Sequence, residues 1–253
     1  MAVVTIARQV GSGGEQIAAE LARQLGARLL DDELLELASD GTGIPIRYFQ
    51  QLDERGRSML RNPGDLFRLV PLPPINPDLP DVYGDRYPPT GPVIARGDGL
   101  ESPVYWAAEA YAAAMSRTIQ SVARAGDVVI VGRGGNEALA GMPDALHVLV
   151  FANEPVRVRR LADSQGEDLY GALDLVRDSD RRRRAFVRQF YGAGWLDPFR
   201  YDLLVRTDEL SVQRAVEVIV AAVHATSATP ALSTPPASTA TEANPSPMLI
   251  AAL

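Results

Sequence analysis

Short, mostly apolar runs, of which the first and third are rich in β-branched residues, alternate along this chain with segments of helical spacing. The runs cover residues 2–7, 27–31, 127–131, 145–151 and 202–206. They are too short for helices and lack helical periodicity, as is typical of strands buried on both faces of a parallel sheet. We therefore predict an α/β fold with a parallel five-stranded sheet, right-handed crossovers and helices on both faces.

The segments between the runs predict the helices. Apolar residues at helical spacing indicate helices over about 17–25, 32–39, 103–125, 154–163, 168–191 and 212–224. Residues 55–102 are rich in proline, glycine and aspartate, and we interpret them as an insert. From residue 225 onward most residues are Ala, Thr, Ser or Pro, a composition that predicts a disordered tail over 225–253.

Two glycine-rich turns follow the first and third predicted strands. The first is Gly11-Ser12-Gly13-Gly14 and the second begins at Gly132-Arg133-Gly134. A strand, a glycine loop and a helix in succession direct backbone N–H groups and the helix N-terminus at one point, which favours a bound phosphate. The alternative is a plain turn in which glycine supplies a positive φ. A dinucleotide site is disfavoured, because Gln16 and Glu137 stand where its fingerprint needs a small residue.

The amino-acid composition excludes several classes of catalytic and binding site. All 25 basic residues are arginine, and there is no cysteine. This excludes thiol nucleophiles, disulfides, cysteine-bound metals, lysine Schiff bases and a phosphate loop ending in Gly-Lys-Ser/Thr. Any anion must therefore be held by guanidinium groups and backbone N–H groups.

The net charge and the hydropathy pattern limit the binding partners and the cellular compartment that we expect. The net charge of −7 argues against nucleic-acid binding. No apolar run reaches the roughly 18–20 residues of a membrane span, and no secretory signal is evident at the N-terminus. We expect a cytoplasmic protein without membrane contact, and the sequence leaves the oligomeric state open.

Five motifs in order resemble the cytidylate kinase-like family. They are Thr5-Ile6-Ala7-Arg8-Gln9-Val10-Gly11-Ser12-Gly13-Gly14, Asp31-Asp32-Glu33-Leu34, Val129-Ile130-Val131-Gly132-Arg133-Gly134-Gly135-Asn136, Asp180-Arg181-Arg182-Arg183, and Gly192-Ala193-Gly194-Trp195 through Tyr201-Asp202-Leu203. The resemblance implies a three-layer P-loop kinase fold with strand order 2-3-1-4-5 over residues 1–224. It also implies transfer of the γ-phosphoryl group of ATP, with Mg²⁺, to CMP, dCMP or a similar small acceptor. In such proteins the insert at 55–102 would be the acceptor-binding arm, and 163–196 a lid.

The resemblance and the chemistry of phosphoryl transfer together select candidate residues. Arg8, Arg133 and Arg183 are the catalytic candidates, Gly11, Ser12, Gly13 and Gly14 would bind the nucleotide phosphates, and Asp31 with Arg133 would bind the acceptor. Simpler interpretations stay open: Arg133 as a surface turn residue, Asp31 as a helix N-cap, and residues 181–184 as a solvated helix face. No metal-ligating residues are predicted, and Trp195 and Tyr201 are expected to be packing residues.

The phosphate loop departs from orthodox cytidylate kinases. Gly14 stands at the position of their catalytic lysine, Gln16 at the position of their magnesium-binding Ser/Thr, and Arg8 in place of a loop glycine. Our hypothesis is that Arg8 supplies the missing cation from the other side of the loop. The main alternative to a kinase is a non-catalytic nucleotide or phosphate sensor with the same fold. A third is a structural or partner-binding domain that uses the insert.

Overall fold

The computed structural model describes residues 1–43, 45–54 and 103–228. Five strands alternate with eight helices in this part of the chain. The strands are β1 (Val3–Arg8), β2 (Arg28–Leu30), β3 (Val128–Val131), β4 (Ala145–Phe151) and β5 (Leu203–Arg206). The helices are α1 (Gly14–Leu25), α2 (Glu33–Thr42), α3 (Ile46–Leu52), α4 (Pro103–Ala125), α5 (Gly135–Ala138), α6 (Glu154–Gln165), α7 (Leu169–Tyr191) and α8 (Val212–Ala228). A short 3₁₀ turn covers Pro198–Arg200.

The strands form one all-parallel sheet in the order β2-β3-β1-β4-β5. β1 is central, with Thr5 opposite Ile130 on one side and His147 on the other. Every residue of β1 and β3 is buried. The predicted fold class and strand order are therefore confirmed, and the ends of β1 and β3, with their two glycine turns, lie side by side.

Apolar side chains cover both faces of the sheet. On one face Val3, Val128 and Ile130 pack with residues of α2, α4 and α7. On the other face Val4, Ile6, Val129 and Val131 pack with residues of α1 and α8. Because successive strand residues point to opposite faces, the continuous apolar runs fill both cores, which accounts for the three layers.

The structure adds to the expected elements in two places. Helix α3 was not predicted, although Ile46, Phe49 and Leu52 have helical spacing and pack into the first core. Helix α8 continues to Ala228, four residues into the predicted tail, where Thr226 donates a hydrogen bond to the Ala222 carbonyl. The insert at 55–102 and the tail at 229–253 lie outside the described residues. Among the helices described, none has the length and hydropathy to cross a bilayer.

Candidate functional site

The loop between β1 and α1 has the backbone of an anion site. Gly11 and Gly13 have φ values of 77° and 81°, a region that favours glycine. A Cβ at Gly11 would lie 2.6 Å from the Arg157 carbonyl oxygen. Helix α1 starts at Gly14, and the first N–H groups of a helix have no intrahelical partner. The positive end of the helix dipole therefore faces this loop, where it stabilises negative charge.

Ser12 is turned into the protein. Its hydroxyl donates to the Gln9 carbonyl oxygen at 2.6 Å, and its N–H bonds the same oxygen at 3.1 Å. The Ser12 carbonyl in turn accepts from the Thr207 hydroxyl at 2.6 Å. Of the four residues predicted to bind phosphates, Ser12 thus stabilises the turn, while Gly13 and Gly14 stand at the helix start.

Arg8 is a buried cation between the two glycine turns. It ends β1 and is 1% exposed. Its Nη1 donates to Glu54 Oε1 at 2.6 Å, and its Nη2 lies 3.5 Å from Glu15 Oε1. A Cβ at Gly132 would lie 2.5 Å from Arg8 Nη1, so the guanidinium reaches the second turn. Among the described residues, Nε of Arg8 thus has no hydrogen bond, and Nη2 has only the ion pair with Glu15, although both atoms are buried.

The path of the Arg8 side chain accounts for the absence of a loop lysine. A Cβ built at Gly14 would lie 2.4 Å from Arg8 Cβ, closer than two carbons can approach. The backbone of Gly14 lies outside the left-handed region, so within the described residues it is the contact with Arg8 that forbids a side chain there. A basic residue is therefore accommodated at position 8 or at position 14, but not at both.

This contact predicts that Gly14→Lys destabilises the protein and that Arg8→Gly relieves the loss. Overpacking of this kind costs about 1–3 kcal/mol. We expect the free energy of unfolding, from urea titrations, to fall by that amount in Gly14→Lys and to recover largely in the double variant. Gly41→Lys is the control, because no atom lies within 4 Å of a Cβ there. Wild-type stability in Gly14→Lys, or a larger loss in the double variant, would contradict the steric argument.

The second turn holds Arg133 in a strained conformation. Arg133 has φ 53°, and the flanking Gly132 and Gly134 have φ 70° and 69°. A non-glycine residue in this region costs about 1–3 kcal/mol and is often associated with function. The Tyr191 hydroxyl donates to the Arg133 carbonyl at 3.0 Å, and a Cβ at Gly134 would lie 2.2 Å from the Tyr191 ring. Tyr191 therefore fixes the turn from helix α7.

The Arg133 guanidinium is fully buried and faces three carboxylates. Nη1 donates to Asp31 at 2.6 Å, Nη2 donates to Asp32 at 2.6 Å, and Nε lies 3.1 Å from Asp53 Oδ1. Burial alone would lower the pKa of Arg133, but the carboxylates of Asp53 and Glu54 outweigh it and raise the pKa above its ordinary value. The structure thus brings Asp31 and Arg133 together and excludes an exposed turn arginine. In addition, each nitrogen of the Arg133 guanidinium lies within 3.1 Å of one of the three carboxylates.

Glu54 joins the three candidate arginines. Its Oε1 accepts from Arg8 and lies 3.6 Å from Arg183 Nε, while its Oε2 accepts the Arg133 backbone N–H at 3.1 Å. Burial alone would raise the pKa of Glu54, but the guanidiniums of Arg8, Arg183 and Arg133 outweigh it and lower the pKa to about 2. Glu54 is therefore ionised at neutral pH. Arg8 and Arg183 converge on it through their side chains, and Arg133 through its amide.

Helix α7 presents one buried arginine to the site. Arg183 is 5% exposed, donates to the Ser179 hydroxyl, and lies with its guanidinium carbon 6.0 Å from the centre of the Trp195 ring. Arg181 and Arg184 are exposed, as expected of a solvated helix face. The alternative interpretation of the run 181–184 thus holds for these neighbours and not for Arg183.

A further buried ion pair fastens α7 beside the first loop. The Arg157 guanidinium donates to both carboxylate oxygens of Asp180, at 3.0 and 2.8 Å, and to the Ala152 carbonyl at 3.1 Å. It also donates to the Val10 carbonyl at 3.4 Å. Arg157 therefore links helix α7 to the loop that holds the predicted phosphate site.

Sequence reasoning missed three site residues: Asp53, Glu54 and Arg157. A signal existed for the first two, because a pair of carboxylates directly follows the apolar stripe of α3. For Arg157 the sequence shows only one arginine among several near the start of a helix. Its role depends on the distant Asp180.

The residues that the structure describes do not form a magnesium site built from protein ligands alone. Among the described residues there is no group of three His, Cys, Asp or Glu side chains that could hold a metal. The Ser12 hydroxyl is occupied by its own turn. Any Mg²⁺ at this site would therefore be bound mainly by the phosphates of a nucleotide and by water.

Comparisons with known proteins give a family match and a similar fold. The model of the cytidylate kinase-like family matches residues 3–209. The crystal structure of an uncharacterized protein from Eubacterium ventriosum superposes with a TM-score of 0.58 at 18% identity, covering 88% of this chain and 99% of that one. A shikimate kinase from Bacteroides thetaiotaomicron gives a TM-score of 0.41 at 15% identity, covering 88% and 98%. No curated protein matches the chain. The first of these structures supports the fold alone.

Proposed function

This chain belongs to the cytidylate kinase-like family, and from that premise we propose that it is a phosphotransferase. The proposed reaction moves the γ-phosphoryl group of ATP to a nucleoside monophosphate of the CMP or dCMP class, or to a similar small acceptor. ATP enters with Mg²⁺ bound to its phosphates, which neutralises part of their charge.

One observation carries the proposal: Arg8 is a buried cation beside the N-terminus of α1, and its Nε makes no hydrogen bond within the described part of the chain. Phosphoryl transfer needs little covalent work from a protein, but it needs charge stabilisation on the transferred oxygens in a dry site. Arg8 and Arg183 supply two guanidiniums there, and the loop at Gly13 and Gly14 supplies backbone N–H groups. This arrangement takes the place of the loop lysine.

On the acceptor side, Arg133 acts by positioning. Its guanidinium holds Asp31 and Asp32, whose side chains are 28% and 75% exposed. Carboxylates oriented in this way accept hydrogen bonds from hydroxyl or amino groups of an acceptor. Direct contact between the Arg133 guanidinium and an acceptor phosphate would require one of these carboxylates to move.

The alternative function is a non-catalytic nucleotide or phosphate sensor. Gly14 and Gln16 favour it, because they replace a charge clamp and a metal ligand that are each worth several kcal/mol of transition-state stabilisation in enzymes that have them. A sensor would use the same loop and the same arginines for binding alone.

A nucleotide panel separates the two functions. We expect ADP to form when the protein is incubated with ATP, Mg²⁺ and one member of a panel of nucleoside monophosphates, and not when the acceptor is omitted. Calorimetry on the same protein measures ATP binding directly. Binding without turnover for every acceptor tested would contradict the kinase and support the sensor. Absence of both would contradict each of them.

A further inference from the structure

The Glu54 carboxylate lies in a site built for an anion. Its partners come from three separate elements: Arg8 at the end of β1 and the backbone N–H of Arg133 after β3 donate hydrogen bonds, and Arg183 on helix α7 forms an ion pair at 3.6 Å. Glu54 itself is 6% exposed. Two guanidiniums and an amide therefore converge on one buried oxyanion from different sides.

The carboxylate leaves part of this site unused. Nε and Nη2 of Arg8 are buried and have no hydrogen-bond partner among the described residues. A carboxylate offers two oxygens in a plane and one negative charge, whereas a phosphoryl group offers three oxygens and up to two charges. Buried N–H donors are rarely left unsatisfied in native structures. Among the described residues Nε has no hydrogen bond and Nη2 has only the 3.5 Å ion pair with the exposed Glu15, so the Arg8 guanidinium fits a larger and more highly charged anion than a carboxylate.

This anion site lies between the two glycine turns. The Arg8 side chain passes over Gly14, at the start of α1, and ends against Gly132. A Cβ at Gly132 would lie 2.5 Å from both Arg8 Nη1 and Glu54 Oε1. An anion held here would lie between the loop assigned to the nucleotide phosphates and the turn assigned to the acceptor.

We propose that the Glu54 carboxylate occupies the binding position of a phosphoryl group, and that phosphate binding displaces it. The inference rests on the proposed function and deepens it by assigning a phosphoryl subsite to Arg8, Arg183 and the Arg133 amide. The internal carboxylate keeps the two guanidiniums together while no phosphate is bound. It also lowers the apparent affinity for phosphates, because the competent state must first lose Glu54.

Glu54→Gln tests the displacement directly. Glutamine keeps the shape and an oxygen for the Arg133 N–H, but it removes the competing charge. With pyrophosphate as the probe, we expect calorimetry on the full chain to give about tenfold tighter binding than the wild type, a modest part of the coupling known for close charge pairs. A residue with a purely structural role would give weaker binding when replaced.

Glu15→Gln is the matched control. Glu15 also pairs with Arg8, but at 3.5 Å and with a side chain that is 60% exposed. We expect its removal to change the pyrophosphate affinity by less than about threefold, because water screens an exposed charge. Equal tightening in both variants would show a general charge effect and would overturn the proposal, as would unchanged or weaker binding in Glu54→Gln.

A measurement on the wild type keeps the proposal testable if Glu54→Gln folds poorly. Pyrophosphate should speed hydrogen exchange in residues 46–54, since displacement of Glu54 removes the contact that ends this segment. Slower exchange there would overturn the proposal. Tight pyrophosphate binding by Glu54→Gln without turnover of any nucleotide would instead contradict the kinase function and leave the phosphoryl subsite intact.

Discussion

Arg8→Gln should lose phosphoryl transfer almost completely while the protein stays folded. The substitution removes the buried guanidinium that lies between the two glycine turns. Removing one preorganised group that stabilises charge in a transition state costs about 100- to 1,000-fold in kcat. Glu54 keeps Arg183 and the Arg133 amide as partners in this variant, so the free energy of unfolding should change much less than the activity.

The measurement is ADP release with the acceptor that the wild type uses, together with a thermal unfolding curve. Arg206→Gln is the matched control, because Arg206 also ends a strand at this edge of the sheet but is 62% exposed and pairs with Asp208. Its activity should stay near that of the wild type. Activity of Arg8→Gln within threefold of the wild type would rule out a role for Arg8 in transfer.

Arg133→Met should cause the largest loss of stability in this part of the protein. Methionine fills much of the same volume, but it removes the guanidinium that Asp31, Asp32 and Asp53 share, and it removes no backbone strain. Breaking a buried ion pair on one side costs about 3–5 kcal/mol. We expect a loss of this size in urea titrations at pH 7. The loss should shrink below about pH 4.5, because the Arg133 guanidinium helps to lower the pKa of Glu54 to about 2, and the stability that a lowered carboxyl pKa provides is lost as the pH falls toward that value.

Arg177→Met is the control for this prediction. Arg177 pairs with Glu154 at 2.9 Å, but both side chains are largely exposed. Pairs of this kind contribute about 0–1 kcal/mol, so the variant should unfold close to the wild type. A small loss in Arg133→Met, or a loss that grows as the pH falls, would mean that the carboxylates around Arg133 do not depend on it.

The five-stranded parallel sheet could be predicted from the sequence alone. The runs at 2–7 and 127–131 are continuously apolar because both faces of β1 and β3 are covered, and such short continuous runs are typical of strands in a parallel sheet. The glycine turns followed from the same pattern, since each comes directly after a buried strand. Arg8 and Arg133 could be chosen because they stand at those turns.

The carboxylates of the site could not be selected as candidate residues from the sequence in this way. Asp53 and Glu54 follow a seven-residue helix on the border of the insert, and only the tertiary fold brings them to Arg133 and Arg8. The pairing of Arg133 with three aspartates likewise joins residues that are far apart in the chain. The sequence shows a pair of carboxylates after the apolar stripe of α3, but its spacing does not show which arginine each of them contacts. In the same way it does not show that the hydroxyl of Ser12, a residue predicted to bind phosphates, bonds the Gln9 carbonyl.

The proposed function depends on Arg8 supplying the positive charge that a lysine at position 14 would otherwise give. The Kd for ATP with Mg²⁺, measured by calorimetry for the wild type, Arg8→Gly and Arg8→Gly with Gly14→Lys, tests it most directly. We expect Arg8→Gly to bind ATP at least about tenfold more weakly, the change given by the loss of one charge-assisted contact. The lysine in the double variant should recover most of that affinity. Wild-type affinity in Arg8→Gly would contradict the claim that Arg8 replaces the loop lysine.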